Sequence, residues 1–128
     1  MNASAPTPSP VEAQVDRIRT CLREQNLTEA LGMARALANQ VPENRDVLYL
    51  KALAERHSRL TAEALATLQV LETHHPNSSL LYQERGHCYV ALKDAPRAIE
   101  AYERAVQINP ALPVTWSMLE GLYRMVGQ

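Results

Sequence analysis

The chain repeats its own pattern every 34 residues, and this period limits the folds open to it more than any other feature. Two ladders of identical residues follow the period: Pro42, Pro76 and Pro110, and Ala30, Ala64 and Ala98. Periods of this length are typical of arrays of helical hairpins. One hairpin cannot bury its apolar face alone, so neighbouring copies stack and share a continuous core. The period therefore predicts a stacked, all-α chain.

The clearest copy of the repeat spans residues 80–110 and reads as two amphipathic helices joined by a tight turn. Its small and aromatic residues recur at helical spacing: Tyr82, Gly86 and Tyr89 on the first helix, and Ala98, Tyr102 and Ala105 on the second. Small residues opposite aromatic ones let two antiparallel helices pack closely. Pro110 ends the second helix. These residues are therefore interpreted as structural.

The order aromatic, Gly, Tyr, Ala, aromatic, Ala, Pro resembles the tetratricopeptide repeat, and residues 11–128 carry the resemblance. It implies an all-α, right-handed α-solenoid of antiparallel helical hairpins with about seven helices. The predicted organisation is a flexible leader, three repeats and a half-repeat, at residues 1–10, 11–44, 45–78, 79–112 and 113–128.

Single residues add detail to this organisation. Thr28, Thr61 and Asp94 are predicted N-caps of the second helices, because their side chains can accept hydrogen bonds from free backbone amides. Glu55 departs from the pattern, since later copies have tyrosine at the matching position. The pattern alone does not predict how a carboxylate is accommodated there.

Composition argues against several classes of protein. A formal net charge of -1 lacks the basic excess of a general nucleic-acid binder. No apolar run is long enough to span a membrane, and the N-terminal segment does not resemble a signal peptide. Cys21 and Cys88 have no CxxC spacing and are predicted to be buried, reduced thiols. We expect a cytoplasmic protein that binds neither nucleic acid nor membranes.

No residue pattern indicates catalysis, a cofactor or a metal. The four glycines form no phosphate-binding loop. His74 and His75 are adjacent on a helix and diverge too far to chelate one ion, and His87 has no histidine or cysteine one helical turn away. We expect a non-catalytic chain without cofactor or metal.

The resemblance implies a concave face, lined by the first helices, that binds a protein or peptide segment. Shifting the family's contact positions by 34 residues gives these candidates: Val15, Arg19, Arg23, Tyr49, Leu53, Arg56, Gln83, His87, Val90, Ser117, Gly121 and Arg124. The set is modestly basic and predicts a partner with acidic character. The alternative is an ordinary solvated surface. The Lys and Asn pattern with which some family members hold a terminal carboxylate is absent from these positions.

The half-repeat leaves further possibilities open. Its apolar side chains predict a homodimer surface formed by Trp116, Leu119, Leu122 and Tyr123, or continuation into a longer protein. Besides an interaction scaffold, two functions therefore remain: a self-assembly module, and the non-catalytic N-terminal arm of a larger enzyme. The third repeat and the start of the fourth resemble bacterial repeat arms fused to sulfotransferase-like domains.

Overall fold

The computed structural model describes residues 9–127, which form seven α-helices. The helices are α1 Pro10–Arg23, α2 Leu27–Gln40, α3 Arg45–His57, α4 Thr61–His74, α5 Ser79–Ala91, α6 Ala95–Ile108 and α7 Pro113–Met125. Each successive pair packs together, which confirms the predicted all-α solenoid of about seven helices. None of these helices is both long and apolar enough to cross a membrane.

The predicted leader lies outside the described residues, apart from its last two positions. Ser9 is the N-cap of α1, and its hydroxyl accepts a hydrogen bond from the amide of Glu12 at 3.1 Å. Pro10 is the first residue of the helix, where a missing N–H costs nothing. The first helix therefore starts one residue earlier than predicted.

The hairpins α1–α2, α3–α4 and α5–α6 close through one kind of turn. Each turn contains a residue in the left-handed conformation: Gln25 (φ 60°), Arg59 (φ 64°) and Lys93 (φ 59°). The next amide donates to the carbonyl five residues earlier: Asn26 to Cys21 (2.8 Å), Leu60 to Glu55 (2.8 Å) and Asp94 to Tyr89 (2.9 Å). This is the Schellman closure of a helix end. Gly127 (φ 84°) occupies the matching position after α7.

Two of the three predicted N-caps are wrong, because the turns between the helices are compact. After the left-handed residue only one position remains before the next helix, so the N-caps of α2 and α4 are Asn26 and Leu60. Thr28 and Thr61 lie within the helices instead. The third prediction is confirmed, because the Asp94 carboxylate accepts a hydrogen bond from the amide three residues on at 3.2 Å.

In the core of each hairpin, one residue of the first helix faces one residue of the second helix. The sizes of these two residues change in opposite directions from one hairpin to the next. The pairs are Ile18 with Ala34, Ala52 with Leu68, and Gly86 with Tyr102, all of them buried. The first-helix member becomes smaller as its second-helix partner becomes larger. Total volume is thereby roughly conserved, which is the kind of change that a packed core tolerates best.

Glu55, the residue that departs from the repeat pattern, is accommodated by buried polar partners. The residue is only 2% exposed. The carboxylate accepts a hydrogen bond from Thr67 Oγ1 at 2.7 Å and lies 3.5 Å from Lys51 Nζ. A buried carboxylate needs such partners, because it loses its hydration. Pairing thus takes the place of the aromatic packing found in later copies.

The first helices form the inner side of the stack. Helix α1 contacts α3, and α3 contacts α5, whereas α2 and α4 pack mainly against the first helices on either side of them. A hydrogen bond from Thr115 Oγ1 to Gln83 Oε1 (2.6 Å) joins α7 to α5. Because the first helices are the closer neighbours, their free surface is the concave one.

Candidate functional site: the concave face

Each first helix has four residues on one stripe, because the second, third and fourth of them follow the first by three, seven and eleven positions. We use the name concave face for these stripes: Glu12, Val15, Arg19 and Arg23 on α1; Asp46, Tyr49, Leu53 and His57 on α3; Leu80, Gln83, His87 and Ala91 on α5; and Val114, Ser117, Gly121 and Met125 on α7. Three neighbouring residues border them: Arg56, Val90 and Arg124.

The predicted residues differ in how accessible they are. Exposed positions are Arg19, Arg23, Ser117, Gly121 and Arg124, and half-buried positions are Tyr49, Leu53, Arg56, Gln83, His87 and Val90. Val15 is only 5% exposed and packs with Ile18 and Val47. The prediction that Val15 is an accessible contact residue was therefore wrong.

Arg56 is held at the floor of the concave face by Glu84. Its Nε and Nη2 both donate to the carboxylate, the second at 3.2 Å. Glu84 is only 2% exposed, whereas the Arg56 side chain is 23% exposed. Burial raises the pKa of Glu84, and the Arg56 hydrogen bond opposes that rise. A two-pronged pair of this kind fixes the orientation of the guanidinium.

The other junctions between first helices are apolar at the same positions. Leu22 and Leu50 stand there between α1 and α3, and Val90 and Met118 stand there between α5 and α7. The ion pair is therefore not required for stacking. Sequence reasoning missed Glu84, although opposite charges at these matching positions were a usable signal.

His87 is fixed from the side by the core tyrosine of its own hairpin. A hydrogen bond of 2.6 Å joins His87 Nδ1 to the Tyr102 hydroxyl, and the two rings meet edge to face. Burial, assisted by the nearby charge of Arg56, lowers the pKa of His87 to about 4. The imidazole is thus neutral at physiological pH.

Tyr49 connects the concave face to the core. Its ring packs against two core clusters, one centred on the first hairpin and one on the second. Burial raises the pKa of Tyr49 to about 12, so the phenol stays protonated. Tyr49 therefore contributes as much to stacking as to the surface.

Acidic neighbours offset the positive charge predicted for this face. Arg19 lies 3.4 Å from Asp16, and Arg124 pairs with Glu120. A cavity of about 390 Å³ between the first turns of α1 and α3 adds further carboxylates to the surroundings of Arg19. Its charged lining residues are Glu12, Asp16, Asp46 and Arg19. Positive charge is therefore not a distinguishing property of the concave face.

Comparison with known families decides the classification. Two models described as tetratricopeptide repeat match the chain, one over residues 16–79 and the other over residues 79–112. The chain belongs to the tetratricopeptide repeat family. A comparison with curated proteins gives no match.

Solved structures that include tetratricopeptide repeat domains have the same fold. The first such domain of human RPAP3 is 16% identical with a TM-score of 0.86, covering 94% of this chain and 95% of that one. The first repeat domain of Spaghetti (RPAP3), bound to the HSP90 peptide SRMEEVD, is 16% identical with a TM-score of 0.83, covering 92% and 94%. PcrH in complex with the chaperone binding region of PopD is 14% identical with a TM-score of 0.81, covering 97% and 98%.

The predicted homodimer surface on the last helix needs correction. Leu119 is 1% exposed and Leu122 is 9% exposed, because both pack against α6 within the same tetratricopeptide repeat array. The Tyr123 hydroxyl donates to Glu103 at 2.5 Å. Only Trp116 remains largely exposed, at 48%, and its Nε1 donates to the carbonyl of Pro110. The signal was available, since buried Cys88 occupies the position that matches Leu122.

Chemically reactive groups are scattered over the tetratricopeptide repeats. Across residues 9–127, no three His, Cys, Asp or Glu side chains gather into a group that could hold a metal. Both cysteines are free; Cys88 is buried as predicted, whereas Cys21 is only half-buried. The arrangement on the concave face is suited to binding, with side chains fixed in place by neighbouring helices.

Proposed function

We propose that this tetratricopeptide repeat chain is a protein–protein interaction scaffold whose concave face binds a segment of a partner protein. One observation carries the proposal: hydrogen bonds between elements fix the side chains on the floor of this face. The three pairs are Arg56 with Glu84, Gln83 with Thr115, and His87 with Tyr102.

These bonds lower the cost of binding. A partner that meets side chains already held in place does not have to order them, so less of the interaction free energy is lost. Repeat arrays bind through such extended concave surfaces, which are built from rigid helices. The proposal is supported further by the shared fold of domains determined with a bound peptide or binding region, RPAP3 and PcrH.

Affinity capture with the full chain tests the proposal. The informative variant changes two exposed residues of the concave face, Arg19→Glu and Ser117→Arg. Its control changes two exposed residues of the second helices, Ala62→Arg and Arg97→Glu. The arginines are matched, since Arg19 and Arg97 each lie 3.4 Å from an aspartate three residues earlier.

We expect the control variant to capture the same protein as the wild-type chain and the concave-face variant to lose it. Binding of that protein, once purified, is then measured by isothermal titration calorimetry with all three chains. Equal affinity for the wild-type chain and the concave-face variant, with weaker binding to the control, would contradict the proposal.

A further inference from the structure

The concave face changes polarity halfway along the stack. At the first matching position, α1 and α3 carry the acids Glu12 and Asp46, whereas α5 and α7 carry Leu80 and Val114. Both apolar side chains are open to solvent, Leu80 at 40% and Val114 at 56%. An acidic row in the first half thus becomes an aliphatic row in the second half.

The same change occurs at the other end of the first helices. The last matching position holds Arg23 and His57 on α1 and α3, but Ala91 and Met125 on α5 and α7. Met125 is 67% exposed. Two rows at opposite ends of the helices therefore change from polar to apolar at the same hairpin.

The matching positions between these two aliphatic rows carry no formal charge near neutral pH, and the bordering Arg56 and Arg124 are paired with Glu84 and Glu120. His87 is neutral there, because burial lowers its pKa to about 4. Gln83 accepts its hydrogen bond from Thr115, and the matching positions on α7 are Ser117 and Gly121. The two middle rows of the α5–α7 half are thus uncharged, and an aliphatic row lies at each end.

Building on the proposed function, we propose that the α5–α7 half of the concave face binds an uncharged, extended partner segment through two aliphatic side chains about four or six residues apart. One side chain lies between Leu80 and Val114, and the other lies beside Ala91 and Met125. The spacing follows from helix geometry. Leu80 and Ala91 are 11 positions apart in α5, which is about 16 Å at 1.5 Å per residue, and an extended chain covers this in about five residues at 3.3 Å each. Because successive side chains of an extended chain point to opposite faces, the two that reach one surface are an even number of positions apart, about four or six.

The chemistry of this surface selects against charged partners. Neither Leu80 nor Val114 offers a counter-charge, so a charged side chain placed between them would lose hydration that these two residues do not replace. A second copy of the chain is a poorer occupant, because a two-fold contact joins a surface to itself and two concave surfaces leave a gap. An aliphatic segment from a partner matches both the polarity and the curvature.

The test uses a phage-displayed library of random 12-residue peptides, selected on the immobilised full chain. We expect the enriched peptides to carry two aliphatic residues about four or six positions apart. The most enriched peptide is then synthesised, and its dissociation constant is measured by fluorescence anisotropy. Leu80→Asp and Val114→Asp should each weaken binding about tenfold or more, the effect of losing a well-buried aliphatic contact.

Matched variants separate this effect from misfolding. Aspartate already occupies the position that matches Leu80 in the second hairpin, so Leu80→Asp is compatible with the fold. Val70→Asp is the control, because Val70 is 43% exposed on α4, outside the concave face. We expect its affinity for the peptide to equal that of the wild-type chain.

The possible outcomes distinguish the two proposals. Peptides that lose affinity with Ser117→Arg but are insensitive to Leu80→Asp and Val114→Asp would overturn this inference and leave the proposed function standing. No enrichment of any peptide by the wild-type chain would count against the proposed function itself. A dimer in sedimentation velocity that Leu80→Asp abolishes would assign the surface to a second copy and overturn the inference.

Discussion

The ring of Tyr102 occupies the space that a β-carbon on Gly86 would need. A side chain at position 86 would overlap three atoms of that ring. The ring cannot move aside freely, because its hydroxyl is bonded to His87 at 2.6 Å and no part of the side chain reaches solvent. Glycine at this position is thus the counterpart of tyrosine on the facing helix, just as Ile18 is the counterpart of Ala34.

Gly86→Ala should destabilise the chain. Overpacking of a close-packed core costs about 1–3 kcal/mol. Replacing glycine with alanine in a helix gains about 1 kcal/mol of helix propensity. Because the Tyr102 ring is held in place, we expect an overpacking cost near the upper end of its range, which outweighs this gain. We expect a net loss of about 1–2 kcal/mol in the free energy of unfolding, measured by urea denaturation. Gly32→Ala is the control, since Gly32 is exposed on α2 with open space around its α-carbon. It should stabilise the chain by about 0.5–1 kcal/mol, and a loss of stability there would contradict the packing argument.

Removing one partner of the buried ion pair should cost more than replacing both. Arg56→Leu leaves the Glu84 carboxylate buried without its partner, and such changes cost about 3–5 kcal/mol. Arg56→Leu with Glu84→Leu reproduces Leu22 and Leu50, the pair at the preceding junction. We expect the double variant to lie within about 1 kcal/mol of the wild-type chain, or above it, in urea denaturation. A double variant as unstable as the single one would contradict the argument from matching positions.

The free energy of unfolding should decrease below neutral pH, because His87 binds a proton more readily in the unfolded chain than in the folded one. Burial lowers its pKa to about 4 in the folded chain, whereas an unfolded histidine titrates near 6.5. Between these values the unfolded chain binds more protons, so the free energy of unfolding rises with pH and is lost as pH falls from about 6.5 towards 4. Allowing for partial solvent exposure, we expect a loss of roughly 2 kcal/mol.

The comparison variant for this titration is His87→Gln, whose amide can still bond to the Tyr102 hydroxyl. Urea midpoints near pH 7 and about pH 5 give the pH dependence of each chain. The raised pKa of Glu84 acts in the opposite direction and is common to both chains, so it cancels in the difference. A pH dependence that is the same in both chains would exclude His87 as its origin.

The two cysteines should differ sharply in reactivity. Cys88 is fully buried, and burial raises the pKa of its thiol to about 12, whereas Cys21 is half-buried. Since the thiolate is the reactive form, iodoacetamide should modify Cys21 at least about a hundredfold faster in the native chain. Mass spectrometry of Cys21→Ser and Cys88→Ser variants assigns the rates. Rapid native labelling of Cys88 would show that its hairpin is not packed as described.

Most of the fold follows from the repeat period, because stacking places apolar or small residues at the same core positions of each copy. The buried alanine ladder and the tyrosines of the third hairpin are of this kind. The buried pairing of Glu55 does not follow from the repeat period. Its partner Thr67 lies on another helix, at a position where other copies have Met33 and Ala101. Packing at that site depends on two departures from the pattern that occur together.

The concave face was only partly predictable for a related reason. The period correctly brings the predicted residues to the first helices, but it does not tell which charges are used within the chain. Arg56 was interpreted as a partner contact, and the structure pairs it with Glu84, 28 residues away. The change from the acidic Asp46 to the aliphatic Leu80 occurs one helical turn before the predicted contact residues. It is visible in the sequence once the first helices are aligned by the repeat period.

A photo-crosslinking residue placed on either side of the array gives the most direct test of the concave face as the binding surface. The crosslinker p-benzoyl-phenylalanine replaces Ser117, exposed on α7, or Ala62, exposed on α4, and each chain is irradiated with the partner obtained by affinity capture. We expect a covalent adduct from position 117 and none from position 62. An adduct from position 62 alone would contradict the account and place the binding surface on the second helices.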